Sequence, residues 1–229
     1  MADNYLEKKF EDLSRRAPKV VHKGGPSLDT LMLRNRSVRG FDPGRTVTME
    51  ELRQIIEVNT RIASSKNQQA LRFRPVTVGP DADLVNANIK MGALFRVQRA
   101  RLAADAKSAA AFANCPDVPF PGTEPQAFIL VYGTHAEDPS LLIDLGISLQ
   151  SMTLKAVEMG LGGIIVRNFD REEIREGLGL PYEPLAVLAV GKPAERIELV
   201  PVHEGDDLGY YRRDGIHYVP KLTAEDITI

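Results

Sequence analysis

Along the apolar stretch Ile143–Gly160, the polar residues Asp144, Ser148, Ser151, Lys155 and Glu158 advance by four, three, four and three positions. That spacing gathers them on one narrow stripe of an α-helix and leaves nearly all the rest apolar. The segment therefore predicts a helix that is mostly buried, within its domain or against another subunit. Upstream, Leu52, Ile55, Ile56 and Ile62 fall mostly on one helical face. They follow Thr48 and Glu51, spaced as a capping box in which each side chain satisfies the other's backbone amide. Ser27 predicts the cap of an earlier helix through Leu31 and Leu33, and Asp170 with Glu173 begins a later one. Strand-like runs occupy Phe73–Val78 (FRPVTV), Ala127–Gly133 (AFILVYG) and Pro184–Gly191 (PLAVLAVG). The last two suit strands buried on both faces, whereas Pro75 moves the first toward a sheet edge. An Ala-rich segment from Asp81 to about Ala113 predicts another helix, weakened at Gly92. Gly160, Gly162 and Gly163 are expected to release the chain from the long helix through positive φ angles. Interleaved helices and a few strands predict a mixed α/β or α+β domain. The KGGP at Lys23–Pro26 separates an N-terminal arm, residues 1–26, from one body, residues 27–229.

Composition changes this picture little. The 229 residues are 43% hydrophobic and 26% charged, a globular balance with enough chain to bury a core. A net charge of -2 argues against a dedicated nucleic-acid binder. The opening MADNYLEKKFEDLSRR lacks a signal peptide's apolar run, and no segment approaches the apolar length of a membrane span. The expectation is a cytoplasmic protein. Cys115, the only cysteine, excludes an intramolecular disulfide and a cysteine-based zinc cluster. It sits in a loop-like stretch and reads as an incidental thiol. The histidines His22, His135, His203 and His217 show no ligand spacing, so no metal site is expected.

Three stretches could carry chemistry. In RNRSVRGF, three arginines and a serine occupy Arg34 to Arg39. Guanidinium forks fit phosphate or carboxylate oxygens, and a serine adds a short neutral donor. In an extended chain Ser37 and Arg39 share one side, as do Arg34 and Arg36. In IASSKNQQALRF, Ile62–Phe73, the amides of Asn67 and Gln69 can each donate and accept, as reading a heteroaromatic edge requires. In GLGGIIVRNFD, Gly160–Asp170, the glycines permit a backbone that lies flat against a ligand. Taken singly, each has a plainer reading: a solvated basic loop, a polar helix-terminating turn, a helix cap.

In this order and spacing, NRSVRGF, SSKNQQALRF, the IDLGISLQSMTLKAVEMGLGG helix, NFD and the closing HYVPK resemble the FMN-dependent nitroreductase family, over Ser27 to Lys221. The resemblance implies an α+β fold: a small, mostly antiparallel sheet flanked by helices, in an intertwined homodimer. It further implies FMN at the subunit interface and a C-terminal segment exchanged between subunits. By the same analogy Arg36, Ser37 and Arg39 hold the flavin's phosphate, ribityl chain and pyrimidine edge, while Asn67 and Gln69 meet the ring and ribityl region. Backbone amides of Ile165, Val166 and on to Asn168 face the flavin N5 and O4, and Lys221, helped by Arg213, reaches the phosphate. The implied reaction takes hydride from NADH or NADPH to a small-molecule acceptor, with no side chain acting as acid, base or nucleophile. Asn35, Ala70 and Leu71 depart from the family pattern, which often has arginine, proline and tryptophan there. A flavin-storage protein, or another flavin reaction on the same scaffold, are the competing expectations.

Overall fold

The computed structural model describes residues 24–91 and 122–229. Most of the N-terminal arm, Cys115 and the Ala-rich segment beyond Met91 lie outside the described residues. Among the described residues the α-helices are α1 (Leu28–Arg34), α2 (Met49–Glu57), α3 (Pro80–Asn88), α4 (Pro139–Glu158) and α5 (Arg171–Gly177). Strands β1 (Leu71–Val76), β2 (Ala127–Gly133), β3 (Gly162–Val166) and β4 (Pro184–Gly191) form one sheet in the order β1-β2-β4-β3. All its pairings are antiparallel. The expected α+β class is what the chain adopts, and β1 is indeed an edge strand, beginning two residues before the predicted Phe73.

The sheet is covered on both faces, and strand alternation sorts the apolar runs between two cores. Ile129, Val131, Leu188 and Val190 meet Leu52 and Ile55 of α2 and Leu145, Leu149 and Met152 of α4. Phe128, Leu130, Val187 and Ala189 meet Val85 of α3, Ile174 of α5 and Val38. Helix starts follow the predicted caps: Ser27 Oγ accepts from the Thr30 amide, Thr48 and Glu51 close the capping box, and Asp170 accepts from the Glu173 amide. None of the described helices is long and apolar enough to cross a membrane.

Three expectations need correction. Ile62 falls past α2, after a 3-10 turn at Val58–Thr60. The Ala-rich helix breaks at Ile89, whose φ of -94° and ψ of 149° let it bridge Phe169. Only Gly160 takes a positive φ, at 76°. Gly162 and Gly163 belong to β3, where an added Cβ at Gly163 would stand 2.7 Å from the Ala189 carbonyl oxygen. The polar stripe of α4 is itself buried over its first half. Asp144 is buried and accepts the Ser65 amide at 2.8 and 3.0 Å, and buried Ser148 donates to Asn59 Oδ1 at 2.5 Å. The exposed face carries Ile143, 62% accessible, and Ile147, 38% accessible, instead. A carboxylate that caps an internal turn is satisfied inside, so burial follows partners rather than polarity alone.

A second sheet was not legible in the helix and strand pattern. Strands β5 (Arg196–Val202), β6 (Tyr211–Arg213) and β7 (Ile216–Leu222) run in the order β5-β7-β6. β5 and β7 are parallel, whereas β6 and β7 form a hairpin. Its turn residues Asp214 and Gly215 have φ of 52° and 76°, the left-handed pair that a two-residue hairpin needs.

Candidate functional site

After α1 the chain runs extended along the outer edge of β3. Ser37 bridges Gly163 in parallel, and the Val38 amide donates to the Gly163 carbonyl at 3.1 Å. Alternation sends Val38 into the core and leaves Ser37 and the arginines outside it. The segment is fastened at both ends. Asn35 Nδ2 donates to Thr153 Oγ1 on α4 at 2.8 Å, so this departure from the family pattern has a structural job. At the other end Glu195 accepts the backbone N–H of Arg39 and, at 3.2 Å, that of Gly40.

Arg36, Ser37, Arg39 and Lys221 line one pocket of about 290 Å³. Lys221 arrives within the same chain, because residues 217, 219 and 221 alternate along β7 onto the pocket side. Arg36 Nη2 donates to the Met32 carbonyl at 2.6 Å, while its buried Nε has no hydrogen-bond partner. Burial lowers the Arg36 pKa from its ordinary value, as desolvation disfavours the charged form. Arg39 and Tyr210 are shared with an adjoining pocket of about 230 Å³ lined by Ile165, Val166 and Asn168. There the Arg39 guanidinium stands 4.9 Å from the centre of the Tyr210 ring. The arginine segment covers β3 at Gly163, and the strand's far end borders this second space.

Asn67 and Gln69 lie elsewhere. Asn67 ends a 3-10 turn (Ser65–Asn67) over the first half of α4 and Gln69 follows it, its Nε2 donating to Asn67 Oδ1 at 3.2 Å. Gln69 borders a separate cavity of about 520 Å³ beside Ala70, Asp144 and Ser148. Lys66, Asn67 and Gln69 all hold left-handed φ, at 49°, 54° and 48°. Asp144, receiving the Ser65 amide, braces this costly conformation. Arg34 ends α1 in an exposed position, and Arg213 stacks over Tyr218 at 5.4 Å; neither lines the arginine pocket.

Three participants escaped the sequence reading. Glu195 is almost fully buried, with Arg212 Nη2 and His217 Nδ1 each 3.6 Å from its Oε2. Burial pushes its carboxyl pKa up, but His217 and the Arg39 and Gly40 amides outweigh that, leaving it below the ordinary value. His217 also lines the arginine pocket, and its ring lies 5.4 Å from that of Tyr210. The available signal was the alternating YRRDGIHYVPK around an Asp-Gly turn. Among the described residues no group of three or more His, Cys, Asp or Glu could hold a metal ion.

Residues 33–192, from the arginine segment through β4, match the sequence profile described as the Nitroreductase family. The chain belongs to the nitroreductase family, as its motifs indicated. It is 25% identical over 189 residues to the Bacillus subtilis (strain 168) protein named "Putative NAD(P)H nitroreductase YdgI". That match covers 72% of this chain and 88% of the relative. Among solved structures, the FMN and NADPH-dependent nitroreductase NfnB from Sphigopyxis sp. strain HMH superposes with a TM-score of 0.54 at 19% identity, over 74% of this chain and 89% of its own. A nitroreductase family protein from Clostridium novyi NT gives 0.52 at 19%, over 73% and 86%. At these identities the structural likenesses establish the fold.

Proposed function

We propose that this protein is an FMN-dependent oxidoreductase that takes hydride from NADH or NADPH and passes it to a nitroaromatic, a quinone or a similar electrophile. The convergence of Arg36, Ser37, Arg39 and Lys221 on one pocket, continuous through Arg39 with the end of β3, carries the reading. The donor set fits FMN: guanidinium, ammonium and hydroxyl groups suit a phosphate monoester, and buried Arg36 Nε lacks the acceptor that a phosphate oxygen supplies. When bound, the flavin supplies the redox chemistry, accepting and releasing hydride in alternating half-reactions. The protein's part is to bind and orient. Arg36, Ser37 and Lys221 anchor the phosphate end, and Ile165–Asn168 border the ring. Arg39 is a fixed cation for negative charge that develops on reduction.

The remaining residues, Asn67 and Gln69, join the site from a second copy of the chain. Their turn sits on Asp144, whereas the arginine pocket is tied to Thr153, about 13 Å farther along α4 at the helical rise. Antiparallel packing of two α4 helices through the exposed Ile143 and Ile147 brings the Asp144 end of one against the Thr153 end of the other. Met32, whose sulfur accepts from Gln150 Nε2 at 3.7 Å, and Leu28 extend that exposed apolar face. A homodimer with two composite sites follows, in the cytoplasm and without membrane or nucleic-acid partners. Because Lys221 reaches the pocket within one chain, the site does not need the tail to change subunits.

The test is the visible spectrum of purified protein, taken anaerobically before and after NADH and then NADPH. Flavin bands that bleach with either donor are the expected result. A yellow protein that neither donor bleaches overturns the oxidoreductase reading in favour of flavin storage. A colourless protein that refuses added FMN overturns the cofactor itself.

A further inference from the structure

We propose that His217 is a ligand of the phosphate group in the arginine pocket and takes up a proton from solvent as that phosphate binds. The inference rests on the FMN reading above and assigns the pocket a proton-coupled step beyond it. The His217 side chain is 1% exposed, yet neither ring nitrogen has a hydrogen-bond partner. A second buried nitrogen on the same pocket, Arg36 Nε, is also without one. Leaving such groups unsatisfied is costly, and one tetrahedral oxyanion, with several acceptor oxygens, relieves both. Ser37 and Lys221 line the same space.

The neighbours of His217 determine what protonation state that contact requires. Its Nδ1 faces Glu195 Oε2 at 3.6 Å, which favours hydrogen on Nδ1. In the neutral ring Nε2 then carries a lone pair, and a phosphate oxygen there meets lone pair against lone pair. The imidazolium donates from both nitrogens. Electrostatics decide when it forms. Arg36 and Arg39 of the extended segment, Arg212 of β6 and Lys221 of β7 oppose another positive charge in the pocket, and Glu195 favours it. The Tyr210 ring covers one side without adding a charge there. A phosphate dianion reverses this balance, since a nearby opposite charge stabilises the charged form. No covalent bond changes; one proton moves from buffer to His217.

Titration calorimetry in buffers of different ionisation enthalpy, at about pH 8, tests this. A phosphate monoester is already dianionic at about that pH, so protons taken up must land on the protein. FMN is expected to bind with net proton uptake, and riboflavin, which has no phosphate, with none. H217F is expected to weaken FMN roughly tenfold or more while riboflavin binding, which also reports correct folding, stays unchanged. H217Q keeps an amide donor and is expected to regain part of the FMN affinity without proton uptake. FMN binding with no proton uptake, or H217F weakening both flavins equally, overturns the role of His217 and leaves the FMN reading intact. Inorganic phosphate bound with proton uptake by a protein that refuses both flavins overturns the FMN reading and upholds His217. Binding of none of the three overturns both.

Discussion

Strand β4 and the link that follows it, though adjacent in sequence, are held by different forces. From Pro184 to Gly191 every residue is buried, and hydrocarbon meets hydrocarbon on both faces of the sheet. A few residues later the Glu195 side chain is just as buried, but it faces Arg212, His217 and two backbone amides. The first arrangement is tolerant of which apolar residue sits where, because burial of area is non-directional. The second is directional and centred on one group, since removing the Glu195 carboxylate takes away the acceptor that Arg212, His217 and two amides all face. The contrast shows where this protein concentrates directional constraint: beneath the arginine segment, which Glu195 fastens through the Arg39 and Gly40 amides.

Glu195→Ala should give the largest effect. Leaving Arg212 and His217 buried without the carboxylate they face is expected to cost about 3–5 kcal/mol in urea unfolding. A loss under about 1 kcal/mol would make the cluster incidental. Its pH dependence sharpens the point. The folded carboxyl lies below its ordinary value of 4.5, so its stabilisation is present above that pH and fades as pH falls through the lower folded value. E195Q should flatten this part of the acid profile. Leu188→Ala, in the apolar region, should cost about 3 kcal/mol and keep the wild-type acid slope; if its slope flattens as well, the two regions are not independent. Arg39→Ala removes a half-buried cation, and its effect should appear in the cofactor rather than the fold. Flavin binding roughly tenfold weaker, or a flavin harder to reduce, is expected with little change in unfolding. Normal binding and normal reduction together would remove Arg39 from the site. The smallest effect belongs to Thr48→Ala, about 1 kcal/mol from the lost cap on α2, with cofactor affinity unchanged.

How much of this the sequence could reveal follows the same division. The apolar runs AFILVYG and PLAVLAVG, the Thr48–Glu51 box and the Ser27 and Asp170 caps act over a few residues, and each appears where expected. The arginine segment alone read equally as a solvated basic loop, and only its order and spacing with the other motifs singled it out. Glu195, Arg212 and His217 were not legible, since their meaning comes from meeting across distant parts of the chain. The stripe on α4 identified a mostly buried helix but not its surroundings: the Ser65 amide meets Asp144 inside, while Ile143 is exposed among the described residues. Helical periodicity identifies a face but not what lies opposite.

That uncovered isoleucine face has a bearing on how the protein behaves in dilute solution. If two copies meet through it, folding and association share one equilibrium, and the melting temperature rises with the protein's own concentration. Each molecule's stability is then set partly by how many others are present.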